Sequence, residues 1–363
     1  MSKKTVAVIT NDPAWTYNLR REILIALLEK EYRVVLIMGN GKRVDELQHM
    51  GCEFIEVPFE RHGTNPLHEL KLYRAYTKIL KDLRPDFVLT YTIKPNSYAG
   101  MICGRLGIPY IANITGLGTA IEYEGKMQKL ALGLYKAGLR KAQKVFFQNT
   151  ENRDFMLEHK AIKGEYDLLP GSGVNTEYFQ VLPYPDGETI DFLFIARVMK
   201  EKGIDQYLEA ASFIRDTYPG TRFHVCGFCE KEYEQVLKEY QEKEIIIYHG
   251  QVPDIIEFHK ISQCTVLPTY YPEGLNNALL ESAASGRPII TTNRSGCREV
   301  IDDGVNGFVV KQQDSQDLID KIEKFLALSW EKRRDMGLAG RAKVEKEFDR
   351  RIVVEKYMKE LER

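Results

Sequence analysis

Phe192-Leu193-Phe194-Ile195-Ala196-Arg197-Val198-Met199-Lys200-Glu201-Lys202-Gly203 reads as an apolar strand, a short basic turn and the opening of a helix. An apolar run without polar alternation suits a strand covered on both faces, as in a parallel sheet. The same unit recurs along the chain, short apolar runs alternating with longer amphipathic segments, which predicts parallel sheets clad in helices. Strands are expected at residues 6–10, 34–38, 53–57, 87–91, 110–114 and 145–148, with helices at 17–30 and 69–83 among those between them. A second series starts at 191–196 and continues through 222–226, 245–248, 264–268, 288–292 and 307–310. The connection over 167–190 carries Pro170, Gly171, Gly173, Pro183, Pro185 and Gly187 and reads as an interdomain linker. The expected fold class is therefore α/β, with two Rossmann-like, doubly wound domains facing a central cleft. Ligands of such folds bind at the carboxyl ends of the strands.

Bulk composition narrows the function. At 363 residues the chain exceeds one small core, and two domains of about 150–200 residues are the natural division. Its 51 basic and 52 acidic side chains nearly cancel, so the overall charge does not call for nucleic acid. The six cysteines stand mostly in apolar contexts, as buried thiols of a reducing compartment do. The pair Cys226 and Cys229 has no second pair to complete a zinc site, and the histidines lack metal-ligand spacing. The opening Lys3-Lys4-Thr5-Val6-Ala7-Val8-Ile9 is too short an apolar run for a signal peptide, and no stretch is long enough to span a bilayer. The expected location is cytoplasmic, with peripheral contact to the inner face of the cell membrane open.

The chemistry concentrates in Tyr271-Pro272-Glu273-Gly274-Leu275-Asn276-Asn277-Ala278-Leu279-Leu280-Glu281. Two acids flank a glycine step into a helix expected to begin near Asn276. A helix N-terminus presents free N–H groups to an anion, and carboxylates accept hydrogen bonds from hydroxyls. Glu281 alone would be an ordinary helix acid; Glu273, in a turn directly after a strand, makes the pair distinctive. An anion ringed by hydroxyls describes a sugar nucleotide. Arg197 and Lys202, at the end of the second domain's first strand, supply a fork and a point charge suited to a diphosphate. No Asp-x-Asp pair occurs, so the expected arrangement uses no metal and no cofactor.

Residues 197–203 and 273–281, with Gly171-Ser172-Gly173-Val174-Asn175 and Asp303-Gly304-Val305-Asn306-Gly307-Phe308-Val309-Val310, resemble the signatures of family 4 retaining glycosyltransferases of the GT-B fold. The resemblance covers essentially the whole chain. It implies sugar transfer from a nucleotide diphosphate with retention of configuration. Glu281 would hold the ribose hydroxyls and Glu273 those of the transferred sugar. Arg197 and Lys202 would bind the diphosphate, assisted by the N–H groups of Gly274, Leu275 and Asn276. Gly227 would form a tight turn near the nucleotide, and Gly250 and Val252 would lie near the base. The implied division is 1–168 for acceptor, 169–342 for nucleotide sugar, and a charged helix within 343–363 returning to the first domain.

The first half departs from the family pattern. Asn11-Asp12-Pro13-Ala14-Trp15-Thr16-Tyr17 stands where many members have a glycine-rich loop. Ile114-Thr115-Gly116-Leu117-Gly118 lacks the usual histidine near the donor sugar; Thr115 and Gly116 are the candidates in its place. This form, with Tyr91-Thr92-Ile93-Lys94-Pro95-Asn96-Ser97, resembles the subset that extends lipid-linked glycans for capsule, O-antigen or glycoprotein glycans. Lys94 and Asn96, at the start of a helix capped by Asn or Ser, would meet an acceptor pyrophosphate. A helix over 126–145 would display Lys126, Lys129, Lys136, Arg140 and Lys144 on one side, suited to an anionic membrane surface or simply a wet face.

The expected function is thus transfer of a hexose or N-acetylhexosamine from a UDP-sugar to a polyprenyl-diphosphate-linked glycan. A UDP-sugar epimerase on the same fold, or a non-catalytic partner of another transferase, are the alternatives.

Overall fold

The computed structural model describes residues 3–59, 65–122 and 124–363, so positions 1–2, 60–64 and 123 of the expected first domain lie outside it. The chain divides into two compact units. The first comprises Met1–Gly173 with Arg350–Arg363, and the second Val174–Asp349.

Among the described residues, seven parallel strands form the sheet of the first unit: β1 (Thr5–Ile9), β2 (Arg33–Met38), β3 (Glu53–Glu56), β4 (Phe87–Tyr91), β5 (Tyr110–Ile114), β6 (Lys144–Phe147) and β7 (Glu165–Leu168). Their order is β3-β2-β1-β4-β5-β6-β7. The chain winds outward from β1 in one direction, then restarts at β4 on its other side. Central strands such as β1 and β4 are buried along their whole length, and apolar clusters fill both faces of the sheet. Helix Pro13–Glu29 starts where its sequence says it should: Asp12 caps it by accepting the Trp15 N–H, and proline occupies its first turn.

The second unit holds β8 (Ile190–Ile195), β9 (Thr221–Cys226), β10 (Ile247–Gly250), β11 (Cys264–Leu267), β12 (Ile289–Thr292) and β13 (Gly307–Val310). Its parallel order is β10-β9-β8-β11-β12-β13. The winding reverses between β8 and β11, which pair through Phe192–Cys264 and Leu193–Thr265. In open α/β sheets the chain ends of the two strands at such a reversal splay apart and leave room for a ligand.

Three expectations are corrected. The helix read over 126–145 stops at Leu139, and Lys144 belongs to β6. The charged helix read from 343 is two helices, Trp330–Glu347 and Arg350–Leu361. They part at Phe348-Asp349, where the Thr176 hydroxyl donates to the Asp349 carboxylate at 2.5 Å. Strand β7 was not anticipated; its mostly exposed Glu165-Tyr166-Asp167 gives no apolar run.

Helix Arg350–Leu361 joins the core of the first unit through a face that includes Val353 and Tyr357. Tyr357 is fully buried, 5.0 Å from the Phe146 ring and 6.1 Å from Tyr91. Its hydroxyl oxygen accepts from the Asn113 amide at 2.7 Å. Arg350 reinforces the attachment by donating to Glu22 at 2.7 Å. Truncation of a buried aromatic costs about 3–5 kcal/mol, so Tyr357→Ala should lower stability toward urea by that amount. A loss below about 1 kcal/mol would show that the helix is held by other means.

Candidate active site

At the reversal point of the second unit, two loops press together. The β8 loop ends in a tight turn, Lys200–Lys202, and Gly203 then opens helix Ile204–Thr217. Gly203 has φ of +78°, and a Cβ there would stand 2.2 Å from the Pro268 carbonyl oxygen. Only glycine serves, because both the backbone angle and the space exclude a side chain. The Tyr270 N–H donates to the Glu201 carbonyl at 2.9 Å, and the Thr269 hydroxyl donates to it at 3.2 Å. These bonds tie the β8 loop to the β11 loop.

The consequence is a largely buried ion pair. The Lys202 ammonium meets the Glu273 carboxylate, with side chains only 14% and 15% exposed. It also sits 4.8 Å from the centre of the Tyr271 ring, a favourable place for a cation. Burial pushes the Lys202 ammonium down to about 8, and the Arg197 charge acts in the same direction. Lys202 therefore remains cationic at neutral pH but is easier to deprotonate than an ordinary lysine. Arg197 pairs with Glu230 at 3.3 Å. Sequence reading missed Glu230, whose pairing follows from the backbone join between Val198 and Cys229. Three of the expected charged groups, Arg197, Lys202 and Glu273, are thus brought to one place.

Beside them the ends of β9 and β10 contribute backbone. A Cβ on Gly227 would fall 1.8 Å from the Ala196 carbonyl oxygen, beside the Arg197 N–H. The Gly227 N–H donates to the Gly250 carbonyl at 2.8 Å. Gly227 and Gly250 therefore meet at the same carboxyl edge as Arg197, with Val252 partly exposed just beyond. Cys226, at the end of β9, is buried and its thiol is pushed up to about 12, which leaves it unreactive.

The turn after β11 leads into helix Asn277–Ala284. The helix starts one residue later than expected, and one expected anion donor is lost. Asn276 is the cap: its side chain accepts the Leu279 N–H at 3.1 Å, and its own N–H donates to the Gly296 carbonyl at 2.8 Å. Asn276 therefore orders the turn, and the first-turn N–H groups without an intrahelical acceptor are those of Asn277 and Ala278. Gly274 and Leu275 are buried in the turn, and Glu281 lies partly exposed on the helix that follows.

The first-unit candidates fare differently. Thr115 and Gly116 follow β5 and are partly exposed, with Gly116 at φ of +138°. The Lys94 ammonium is paired with Glu69 at 2.6 Å and lies 5.6 Å from the Phe59 ring centre. Asn96 is corrected from ligand contact to scaffold. It is fully buried, accepting from the Thr90 hydroxyl at 2.7 Å and donating to the Asn113 carbonyl at 2.8 Å. It caps no helix; the segment Pro95–Ala99 is a π-helical turn. Lys126, Lys129, Lys136 and Arg140 are exposed on helix Lys126–Leu139 and its end. Lys144 is not among them, being buried between Glu165 at 2.8 Å and Glu360 at 3.4 Å.

This architecture has counterparts. A family model described as Glycosyl transferases group 1 matches residues 175–343, and one described as Glycosyl transferase 4-like matches residues 6–149. The chain belongs to the glycosyltransferases. This glycosyltransferase is 26% identical to the N,N'-diacetylbacillosaminyl-diphospho-undecaprenol alpha-1,3-N-acetylgalactosaminyltransferase of Campylobacter jejuni, over 98% of this chain and 97% of that one. It is 29% identical to the capsular polysaccharide biosynthesis glycosyltransferase CapM of Staphylococcus aureus, over 45% of this chain and 43% of that protein. Among solved structures, Anabaena Alr3699/HepE, in complex with UDP and glucose, superposes with a TM-score of 0.80 at 14% identity over 99% of both chains. A glycosyltransferase from Rickettsia africae superposes at 0.78 with 19% identity, over 99% of this chain and 98% of that one. These two likenesses establish the fold.

Proposed function

We propose that the enzyme moves a hexose or N-acetylhexosamine from a UDP-sugar to a glycan carried on a polyprenyl diphosphate, retaining the configuration of the transferred sugar. The observation that carries the reading is the gathering of Arg197, Lys202 and Glu273 at the reversal point of the second sheet. The lipid-linked acceptor is supported by full-length similarity to a Campylobacter enzyme whose own acceptor is a diphospho-undecaprenol sugar, and the UDP donor by the bound UDP of the Anabaena structure.

In this reading the diphosphate lies against Arg197 and Lys202, with the N–H groups of Asn277 and Ala278 directed at the same charge. Glu273 binds hydroxyls of the transferred sugar, and Glu281 those of the ribose. The bond from the anomeric carbon to the donor phosphate oxygen breaks as the acceptor hydroxyl closes on the same face. The departing phosphate oxygen takes the acceptor proton. The protein then supplies no nucleophile and no base; it supplies positive charge where negative charge develops. Fixed side chains fill that role, so chelation of divalent metals should leave turnover in place.

The membrane surface is the finer part of the proposal. Helix Lys126–Leu139 exposes Met127 at 53% and Leu130 at 57% beside Lys126 and Lys129. Apolar side chains next to cations suit an anionic lipid interface, where each cation contributes about 1 kcal/mol. No helix among the described residues is long and apolar enough to cross a membrane. We place the work of the enzyme at the cytoplasmic face.

Loss of a charged hydrogen-bond acceptor costs about 1.5–3 kcal/mol per bond, so Glu281→Ala should reduce turnover of the UDP-sugar by about 10²-fold with the fold intact by circular dichroism. Near-normal turnover would remove Glu281 from the site. A bound diphosphate holds the proton on Lys202, so UDP affinity should be highest below pH 8 and fall as pH rises through about 8. Calorimetry between pH 7 and 9 reads this directly, and Lys202→Met should flatten the profile; an unchanged profile in that variant would exclude Lys202. Replacing Lys129, Lys136 and Arg140 by Glu should weaken binding to phosphatidylglycerol vesicles while sparing turnover of a soluble acceptor. Unchanged vesicle binding would leave that helix a structural one.

A further inference from the structure

The turn that carries Glu273 is not held by its own helix alone. It leans on the loop after β12, and that loop is organised by a carboxylate absent from the mechanism above. Glu299 accepts the Gly296 N–H at 2.7 Å on one oxygen and the Ser295 hydroxyl at 3.2 Å on the other. Gly296 in turn accepts the Asn276 N–H at 2.8 Å on its carbonyl. The path runs from a side chain through the backbone of a single residue, N–H on one side and carbonyl on the other, to the residue that caps the helix bearing Glu281.

The contact is close enough to be directional. Gly296 has φ of +92°, and a Cβ on it would stand 3.0 Å from the Gly274 carbonyl oxygen and 3.4 Å from the Glu273 Cβ. The loop after β12 therefore touches the very residues of the site turn. Its start is stitched to the loop after β11, since the Thr292 hydroxyl donates to the Thr269 carbonyl at 2.5 Å and the Arg294 N–H donates to the Thr292 hydroxyl at 3.3 Å. With that end fixed, the orientation of the Ser295–Gly296 peptide is set by what its N–H points at, and that is Glu299. A hydrogen bond to a carboxylate is among the stronger of its kind.

We infer that Glu299 is a positioning residue of the donor site, fixing through Gly296 the turn of Glu273 and the cap of the helix carrying Glu281. The inference rests on the reading that this turn binds the nucleotide. Release of the Gly296 N–H would let the backbone turn about the Gly296 Cα, withdraw its carbonyl from Asn276, let the cap move, and displace both carboxylates together. Misplacement by about 1 Å is enough to cost up to 10²-fold in a site of this kind.

UDP is the probe. Glu299→Ala should weaken UDP binding by tenfold or more in calorimetry, and hydrogen exchange at the Asn276 N–H should speed up while the strands of the second unit keep their protection. Glu299→Gln retains an acceptor for the Gly296 N–H and should bind UDP within threefold of the parent. Glu299→Asp, one methylene short of the reach, should behave like Glu299→Ala; this pair decides the matter if the alanine variant fails to fold. Equal UDP affinity in Glu299→Asp and the parent, or equal impairment of Glu299→Gln and Glu299→Asp, would overturn the inference. Glu281→Ala runs alongside. If it weakens UDP while Glu299→Asp does not, only the positioning role falls; if the parent itself does not bind UDP, the reading of the site falls first.

Discussion

A cation pushed into a carboxylate at the seam between β8 and β11 is the constraint on which the second unit is organised. Lys202 and Glu273 come from different loops. The seam exists because Gly203 lets the β8 loop lie on the Pro268 carbonyl, and because Tyr270 and Thr269 both bond the Glu201 carbonyl. Taking either charge partly out of water is unfavourable unless the partner is close. The pair therefore reinforces the join that these bonds make between the two loops.

That arrangement supports the proposed reading, in which the protein supplies charge rather than a nucleophile. The strand ends contribute backbone, through Gly227 and Gly250, and fixed positive charge, through Arg197 and Lys202. Glu230 holds Arg197 from the other side, so the guanidinium is oriented before any ligand contact. Pre-oriented charge in a partly dry setting acts more strongly on a developing anion than the same charge in water. The depressed ammonium of Lys202 fits this description, because a site that discourages a bare cation favours an anion arriving beside it.

Much of the fold was legible because buried parallel strands leave an unmistakable trace. Strands β8, β11 and β12 are short apolar runs bounded by turn residues, and the residues just after β8 and β11 proved to be the ones that meet. What escaped has a physical reason in each case. Strand β7 sits at a sheet edge and keeps charged residues exposed, so no apolar run announces it. The periodicity of helix Lys126–Leu139 continues by chance across a turn into β6, where Lys144 is claimed by two glutamates from distant parts of the chain. Asn96 and Asn276 looked like ligand contacts because asparagine is used in both roles; only burial and the bonds to Thr90, Asn113 and Gly296 separate them. Glu230, Glu69 and Glu299 were invisible for a related reason, since an acid's partner is decided by tertiary contact rather than by spacing.

The most direct test of the central claim is a crystal structure of the enzyme with UDP. Diphosphate oxygens should lie within about 3 Å of the Lys202 ammonium and the Arg197 guanidinium, with the ribose hydroxyls on Glu281. A diphosphate held elsewhere, with Lys202 and Glu273 still clasped to each other and remote from the nucleotide, would contradict it.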